Sequence, residues 1–265
     1  MLAAGQAYIA RSSVLAAGFP VSTAASVTNR FCSSGLLAVQ NIANQIIAGS
    51  IDVGLAVGAE SMSSTPDDGA PKMSEKILNH PIASQNQQPM GQTSENVADQ
   101  FGVTRKAMDA FAASSFQKAE KAQKAGWSAD EIAPISVQVK DPKTGEIKTQ
   151  IVDRDDGVRY GTTAESLGKI RAAFPQWSPS ATTGGNASQI TDGAAAILLM
   201  KRSTAENLGQ PIVGKFCGAT IVGLEPRIMG IGPSLAIPKI LEKAGLNKDD
   251  VDIFEINEAF ASMVN

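Results

Sequence analysis

The stretch VTNRFCSSGLLAVQN, residues 27–41, places a cysteine immediately before an amphipathic run. The apolar side chains of this run recur at Leu36, Val39, Ala43, Ile46 and Ile47. Spacing by three and four residues predicts a helix over residues 33–49 with one apolar face, and Gly49 is a typical residue to end it. Cys32 would then lie at the start of this helix.

The sequence beyond this helix predicts the fold class. Residues 53–62, VGLAVGAESM, and 194–200, AAAILLM, are apolar runs that predict buried strands. The glycines of the first run predict close backbone neighbours. Further strands are predicted in residues 135–154, as a pair around the turn DPKTGE, and in residues 213–223 and 251–256. Helices between apolar strands indicate an α/β fold.

The composition argues against several classes of function. The net charge is −3 and the chain has no basic block, which argues against nucleic acid as a partner. No apolar run approaches the roughly 20 residues that span a bilayer. The chain has two cysteines and one histidine, too few for a four-ligand zinc site without carboxylates, so we predict no metal and two free thiols.

Cys32 has two interpretations. The N–H groups at a helix N-terminus favour negative charge and stabilise a thiolate there, which favours a nucleophile. The small residues Ser33, Ser34 and Gly35 would let a substrate approach the sulfur. Free cysteine is also among the most buried residue types, so position alone leaves a structural thiol open.

Five blocks of the sequence resemble those of the thiolase family, in the family's order and at roughly its spacing. They are NRFCSSGLLAV (29–39), PMGQTSENVA (89–98), TTGGNASQITDGAAAILL (182–199), IMGIGP (228–233) and FEINEAFAS (254–262). The resemblance spans essentially the whole chain. It implies that Cys32 is the nucleophile.

The resemblance also implies the architecture, an α/β fold with a thiolase-like layered core, mixed sheets and a large inserted loop domain. A polar block between two apolar regions agrees with such an insertion. We predict that residues 1–75 and 176–206 share the N-terminal core domain. Residues 76–175 would form the insertion covering the active site, and residues 207–265 would begin a second, similar domain.

Within the family the chain looks most similar to the peroxisomal type of 3-ketoacyl-CoA thiolase, on the segments IPKILEKAGL and DIFEINEAFAS. This resemblance implies acyl transfer from a 3-ketoacyl-CoA to CoA through an acyl group on Cys32, with release of acetyl-CoA. CoA would be a substrate, and no cofactor is expected. An acetoacetyl-CoA thiolase is the alternative, but those enzymes usually carry histidine where this chain has Pro89.

The remaining site residues follow from the same resemblance. Asn257 is similar to the asparagine that holds a water at the oxyanion site, although asparagine is also a good helix cap. Three polar residues match positions around CoA: Arg159, Ser166 and Ser188. Four apolar residues match positions along the pantetheine channel: Met90, Phe174, Met229 and Phe260. The alternatives are a solvated charge for Arg159 and ordinary core for the apolar residues.

Some family features are missing from the sequence. Phe31 replaces the usual glutamine before the nucleophile, and Gly184 replaces a more usual alanine. The family's later G-H-P-x-G and C-x-G blocks, which supply a catalytic histidine and cysteine, are absent, so we expect a chain truncated at both ends. His80 and Cys217 come too early to replace them, and Cys217 is predicted to be a buried thiol in a strand. A catalytically inactive thiolase-like protein that keeps a CoA-binding or subunit-pairing surface is the second alternative.

The resemblance implies partners and a location as well. The expected partners are 3-ketoacyl-CoA, CoA and a second copy of the chain in a homodimer, with neither nucleic acid nor a membrane span. The expected location is the peroxisome.

Overall fold

A computed structural model describes residues 4–64 and 71–264 of the chain. Residues 1–3, 65–70 and 265, which belong to the first and last predicted domains, lie outside the described residues. The chain divides into two compact units. The first comprises the described residues within Met1–Pro66, Ile190–Thr220 and Glu242–Gly245, and the second those within Asp67–Gln189, Ile221–Leu241 and Leu246–Asn265.

Helices and strands are interspersed along the chain. In chain order they are α1 (Ala4–Ala16), α2 (Ser34–Ile47), β1 (Val53–Ser61), α3 (Glu75–Leu78), α4 (Met90–Phe101), α5 (Arg105–Ala125), β2 (Ile135–Lys140), β3 (Ile147–Val152), α6 (Ala164–Gly168), β4 (Asp192–Met200), α7 (Arg202–Asn207) and α8 (Gly232–Ala244). Short 3₁₀ helices occupy Ala83–Gln87, Pro226–Ile231, Lys248–Asp250 and Ala261–Met263. The α/β class predicted from the sequence is confirmed.

The first unit is built on the antiparallel pair of β1 and β4, in which Val53 lies opposite Met200 and Ser61 opposite Asp192. Helix α2 packs on this pair. A Cβ atom at Gly54 would lie 2.6 Å from the Ile42 side chain, and one at Gly58 would lie 3.6 Å from the Gly35 backbone. The predicted close approach to the glycine-rich strand is therefore confirmed, and it is the helix after Cys32 that makes it.

The second unit is built around α4 and α5. Helix α4 ends at Gly102, whose φ of 66° is a left-handed conformation that favours glycine. Thr104 then caps α5, because its side chain accepts the N–H of Ala107 at 3.2 Å. The core beneath the two helices joins Ala98 and Met108 to Ala181 and Ala261, which come from two distant segments of the chain. The same unit carries the antiparallel pair of β2 and β3.

Several expectations differ from the structure. Residues 213–223 and 251–256 are not strands, because no neighbouring strand pairs with them in the described part of the chain. Strands β1 and β4 form as predicted but are mostly exposed rather than buried, since the only described strand beside each is the other. Both described sheets are antiparallel pairs, whereas mixed sheets were expected. The predicted domain boundaries stay a prediction.

Gly91 provides a test of the packing between α4 and the loop that carries Phe174. A Cβ atom at Gly91 would lie 2.3 Å from the Phe174 ring, which itself packs against Trp177 with ring centroids 5.3 Å apart. We expect Gly91→Ala to lower the free energy of unfolding by about 1–3 kcal/mol, because the ring must move. In a Phe174→Ala background the same change should raise it by up to about 1 kcal/mol, since alanine is the better helix former.

Urea unfolding of the four variants measures both effects. Gly184→Ala is the matched control, because a Cβ atom there meets no heavy atom within 4 Å. Equal destabilisation by Gly91→Ala in both backgrounds would contradict the assigned contact.

Candidate active site

Cys32 lies two residues before the first residue of α2 and is exposed. Local hydrogen bonds build the turn around it. Asn29 Oδ1 accepts the N–H of Phe31 at 2.8 Å, and Ser34 Oγ accepts the N–H of Arg30 at 2.7 Å. The Ser34 hydroxyl also donates to the Phe31 carbonyl oxygen at 2.7 Å.

This turn brings the Cys32 side chain to the N-terminus of α2. Phe31 has a φ of 47°, a left-handed conformation that is uncommon for an aromatic residue and reverses the chain before Cys32. The helix that follows directs the positive end of its dipole toward this turn. An exposed sulfur in this position can attack an electrophilic carbon.

A cleft of about 530 Å³ opens in the second unit. One wall is α5, through Phe111, Ser115 and neighbouring residues, and the other walls are residues 156–158, 185–189 and 255–258. The cleft brings together two predicted site residues, Ser188 and Asn257. The Glu258 carboxylate also lies there and accepts a hydrogen bond from the Ser115 hydroxyl.

Ser188 and Asn257 are held by pairing of their two segments. The N–H of Ser188 donates to the Ala259 carbonyl oxygen at 2.8 Å, and Ala187 forms an antiparallel bridge with Phe260. The N–H of Ala261 donates to the Asn186 carbonyl oxygen at 2.9 Å. Both side chains are exposed at the cleft, where an amide and a hydroxyl can donate hydrogen bonds to a bound oxygen.

Arg159 lies in a loop that is hydrogen bonded to α5. Its guanidinium is exposed and lies 3.6 Å from the Asp156 carboxylate. The N–H of Gly161 donates to Glu120 at 2.8 Å, and the Tyr160 hydroxyl donates to Gln123 at 2.7 Å. The loop is therefore fixed by main-chain and neighbouring groups, while the Arg159 side chain faces solvent and can meet a phosphate.

Ser166 has a structural role that the sequence did not indicate. It is the third residue of a capping box at α6, in which the N–H of Ser166 donates to Thr163 Oγ1 and the N–H of Thr163 donates to Ser166 Oγ, each at 3.1 Å. The Ser166 hydroxyl donates to the Thr163 carbonyl oxygen at 2.8 Å. Contact with CoA would compete with these bonds, and that assignment stays a prediction.

The four apolar candidates lie in the second unit, and the Phe174 ring packs against Gly91, the residue after Met90. Met90 begins α4 and Met229 lies in the 3₁₀ helix Pro226–Ile231, and both are exposed. Phe174 is half-buried against Trp177, and Phe260 is half-buried at the bridge to Ala187. None of the four is among the residues that line the cleft.

A buried polar network behind the cleft was missed by the sequence reasoning. Glu95 and Asp109 are 0% and 3% exposed, and Asn186 is 3% exposed. Asp109 accepts Arg105 Nε at 2.7 Å and Asn186 Nδ2 at 2.9 Å. The sequence carried a signal only for Asp109, an acidic residue between the apolar Met108 and Ala110, whereas Glu95 lies between the polar Ser94 and Asn96.

The two remaining sequence candidates have different outcomes. The prediction that Cys217 is a buried strand thiol is wrong: the residue is exposed, and its segment has no strand partner in the described residues. His80 is exposed, and its Nδ1 accepts the N–H groups of Ile82 and Ala83 at 3.2 and 3.1 Å. That role is a turn cap.

The described residues were also searched for metal sites and membrane spans. Across residues 4–64 and 71–264, no three His, Cys, Asp or Glu side chains cluster closely enough to hold a metal ion. Within the same ranges, the helices are too short or too polar to cross a membrane.

The chain is similar in sequence to known families and proteins. The family described as thiolase, N-terminal domain, matches residues 1–203, and the family described as thiolase, C-terminal domain, matches residues 210–264. A peroxisomal 3-ketoacyl-CoA thiolase of Yarrowia lipolytica is 52% identical, over 95% of this chain and 60% of that protein. A peroxisomal 3-ketoacyl-CoA thiolase A of Rattus norvegicus is 50% identical, over 97% of this chain and 58% of that protein.

The fold is similar to solved structures. The dimeric peroxisomal thiolase of Saccharomyces cerevisiae superimposes with a TM-score of 0.88 at 47% identity, over 96% of this chain and 63% of that one. An acetyl-CoA acetyltransferase of Bacillus anthracis gives 0.82 at 34% identity, over 96% and 65%. The chain spans about 60% of the length of the curated relatives that it matches.

The contact between Glu120 and the Arg159 loop predicts a pH dependence. Lys124 Nζ, 2.5 Å from Glu120 Oε1, and then the N–H of Gly161 lower the pKa of Glu120 from its ordinary value of 4.5. The same ion pair raises the pKa of Lys124. Because these bonds favour the ionised Glu120 carboxylate, they stabilise the folded loop above pH 4.5. This stabilisation is lost as the pH falls through the lowered pKa of Glu120.

We therefore expect the Gly161 amide to exchange faster only below pH 4.5, measured against its intrinsic rate by NMR. Glu120→Gln should remove this dependence, while Glu165→Gln, which alters an exposed ion pair with Lys169, should keep it. A Gly161 amide that behaves alike in wild type and Glu120→Gln at every pH would contradict the assignment.

Proposed function

This chain belongs to the thiolase family, and we propose that it carries out the acyl transfer of a peroxisomal 3-ketoacyl-CoA thiolase. The observation that carries the proposal is the exposed Cys32, held at the N-terminus of α2 within a sequence about half identical to proteins of that name. Identity to the acetyl-CoA acetyltransferase of Bacillus anthracis is lower, at 34%, which favours the longer-chain activity over the acetoacetyl-CoA alternative.

The proposed reaction has two transfers. The Cys32 thiolate attacks the keto carbon of a 3-ketoacyl-CoA and forms a tetrahedral oxyanion. The bond between the second and third acyl carbons then breaks, its electron pair leaves with acetyl-CoA as an enolate that takes up a proton, and the shortened acyl group remains on Cys32 as a thioester. The thiol of a second CoA attacks this thioester, loses its proton and regenerates Cys32.

The cleft residues support charge stabilisation and binding in this scheme. Asn257 has an exposed amide among the residues that line the cleft, and by the family resemblance it would hold the water of the oxyanion site. Ser188 lies beside it on the paired segment and would contact the pantetheine arm of CoA. The exposed Arg159 would neutralise phosphate at the nucleotide end.

We also propose the role of CoA, the location of the protein and its oligomeric state. CoA acts as a substrate and no resident cofactor is required. The protein works in the peroxisome, because the relatives at about half identity carry that location in their names. It forms a homodimer like the dimeric thiolase of Saccharomyces cerevisiae that it resembles.

Replacement of Cys32 tests the function directly. In the full-length protein we expect Cys32→Ala to lower the rate of CoA-dependent 3-ketoacyl-CoA cleavage at least about 10³-fold, because the nucleophile is lost. Cys217→Ala is the matched control, since this second free cysteine is also exposed and should be dispensable. The measurement is the loss of 3-ketoacyl-CoA absorbance after addition of CoA.

A trapping experiment separates the enzyme from an inactive relative. Mixing the protein with 3-ketoacyl-CoA without free CoA should leave the shortened acyl group on the Cys32 peptide, read by mass spectrometry. Wild-type protein without cleavage activity and without acylation would support the inactive, CoA-binding alternative. Activity that survives Cys32→Ala but not Cys217→Ala would overturn the assigned nucleophile.

A further inference from the structure

We propose that Glu95 is a positioning residue, which sets the loop of residues 181–188 and, through it, the segment that carries Asn257. The inference rests on the proposed function for its catalytic consequence. Glu95 lies in the middle of α4 and is not among the residues that line the cleft. It would act on the reaction through the loop and not by contact with substrate.

Glu95 is fastened to the loop through both carboxylate oxygens. The N–H of Ala181 donates to Oε2 at 3.0 Å, and the N–H of Thr182 donates to Oε1 at 2.8 Å. The side chain is 0% exposed, so water cannot replace either bond. A buried acceptor with two main-chain donors fixes the direction from which the loop enters the site.

The position of the loop is transmitted to the Asn257 segment at three points. The Asn186 carbonyl oxygen accepts the N–H of Ala261 at 2.9 Å, and the Ala259 carbonyl oxygen accepts the N–H of Ser188 at 2.8 Å. The third point passes through α4 itself, where the Ser94 hydroxyl is hydrogen bonded at 2.8 Å to both Thr182 and Ser262.

The loop has a second anchor that makes the role of Glu95 separable from folding. Asn186 Nδ2 donates to Asp109 at 2.9 Å and to the Ala181 carbonyl oxygen at 3.1 Å, while Asn186 Oδ1 accepts the N–H of Thr183 at 2.8 Å. This anchor ties the loop to α5 through Asp109. Loss of the Glu95 bonds should therefore shift the loop and the segment bonded to it without releasing either from α5.

The chemistry of the side chain explains why glutamate is required. Glutamine has the same shape but only one amide oxygen, and its NH₂ group would face one of the two N–H donors. Glu95→Gln thus leaves a buried donor unpaired and displaces that donor. Asp99→Asn is the matched control, because it removes a carboxylate from the same helix at an exposed position.

The experiment compares wild type, Glu95→Gln and Asp99→Asn in the full-length protein by amide hydrogen exchange and steady-state kinetics. We expect Glu95→Gln to speed exchange in peptides covering residues 181–188 and 255–262. We expect kcat per folded enzyme to fall about 10- to 100-fold with KM little changed, since misplaced groups lose interactions made in the transition state. The rate of Cys32 alkylation by iodoacetamide should not change.

The outcomes are distinct. Exchange and kcat like wild type in Glu95→Gln, or faster exchange confined to residues 181–188, would overturn the positioning role. A loss of kcat that disappears on correction for the folded fraction would make Glu95 merely structural. Wild-type protein without cleavage activity would reject the proposed function, and the exchange comparison would still decide whether Glu95 couples the two segments. If Glu95→Gln does not fold, Ser94→Ala, which cuts the hydroxyl link from α4 to Thr182 and Ser262, must show the same paired increase in exchange.

Discussion

The packing of the second unit depends on the buried Glu95 carboxylate, which has no contact with water. Burial of a charged or polar group is costly unless it is fully hydrogen bonded, and Glu95 meets this condition only when residues 181 and 182 bring their N–H groups to it. The loop therefore has one position in which α4 can remain buried. The neighbouring Ser94 and Asn96 add bonds to Ser262 and to the Arg227 carbonyl oxygen, so three consecutive residues of one helix hold three separate segments.

In this arrangement the residues that line the cleft differ from the residues that hold them in place. The residues that line the cleft, such as Ser188 and Asn257, are exposed, and main-chain hydrogen bonds between their two segments hold them there. The residues that fix them, such as Glu95 and Asn186, are buried and use their side chains. A site on loops can be as well defined as one on a helix when each loop is attached in this way.

The position of Cys32 depends on local hydrogen bonds and not on contacts between distant segments. The turn around Cys32 is made by bonds between residues no more than four apart, and it needs no distant partner. What the first unit adds is the seat of α2 on β1, where Gly54 and Gly58 leave room for the helix. The position of the sulfur at the helix start is thus encoded locally, whereas the cleft is encoded by contacts between distant segments.

The sequence by itself determined those features whose causes are local. The spacing of apolar residues predicted α2, and the glycines of β1 predicted a close neighbour. Motifs in order identified the family and placed Cys32 at a helix start. These features depend on residues a few positions apart, where spacing and conformational preference act directly.

Only the tertiary structure decided the features that depend on partners far along the chain. Residues 213–223 have the composition of a strand, but a strand requires a neighbour, and Cys217 is consequently exposed. Ser166 matched a ligand position but is hydrogen bonded within a capping box. Glu95 carries no label in the sequence, because its donors lie 86 and 87 residues away and a carboxylate becomes an anchor only where burial removes water from it.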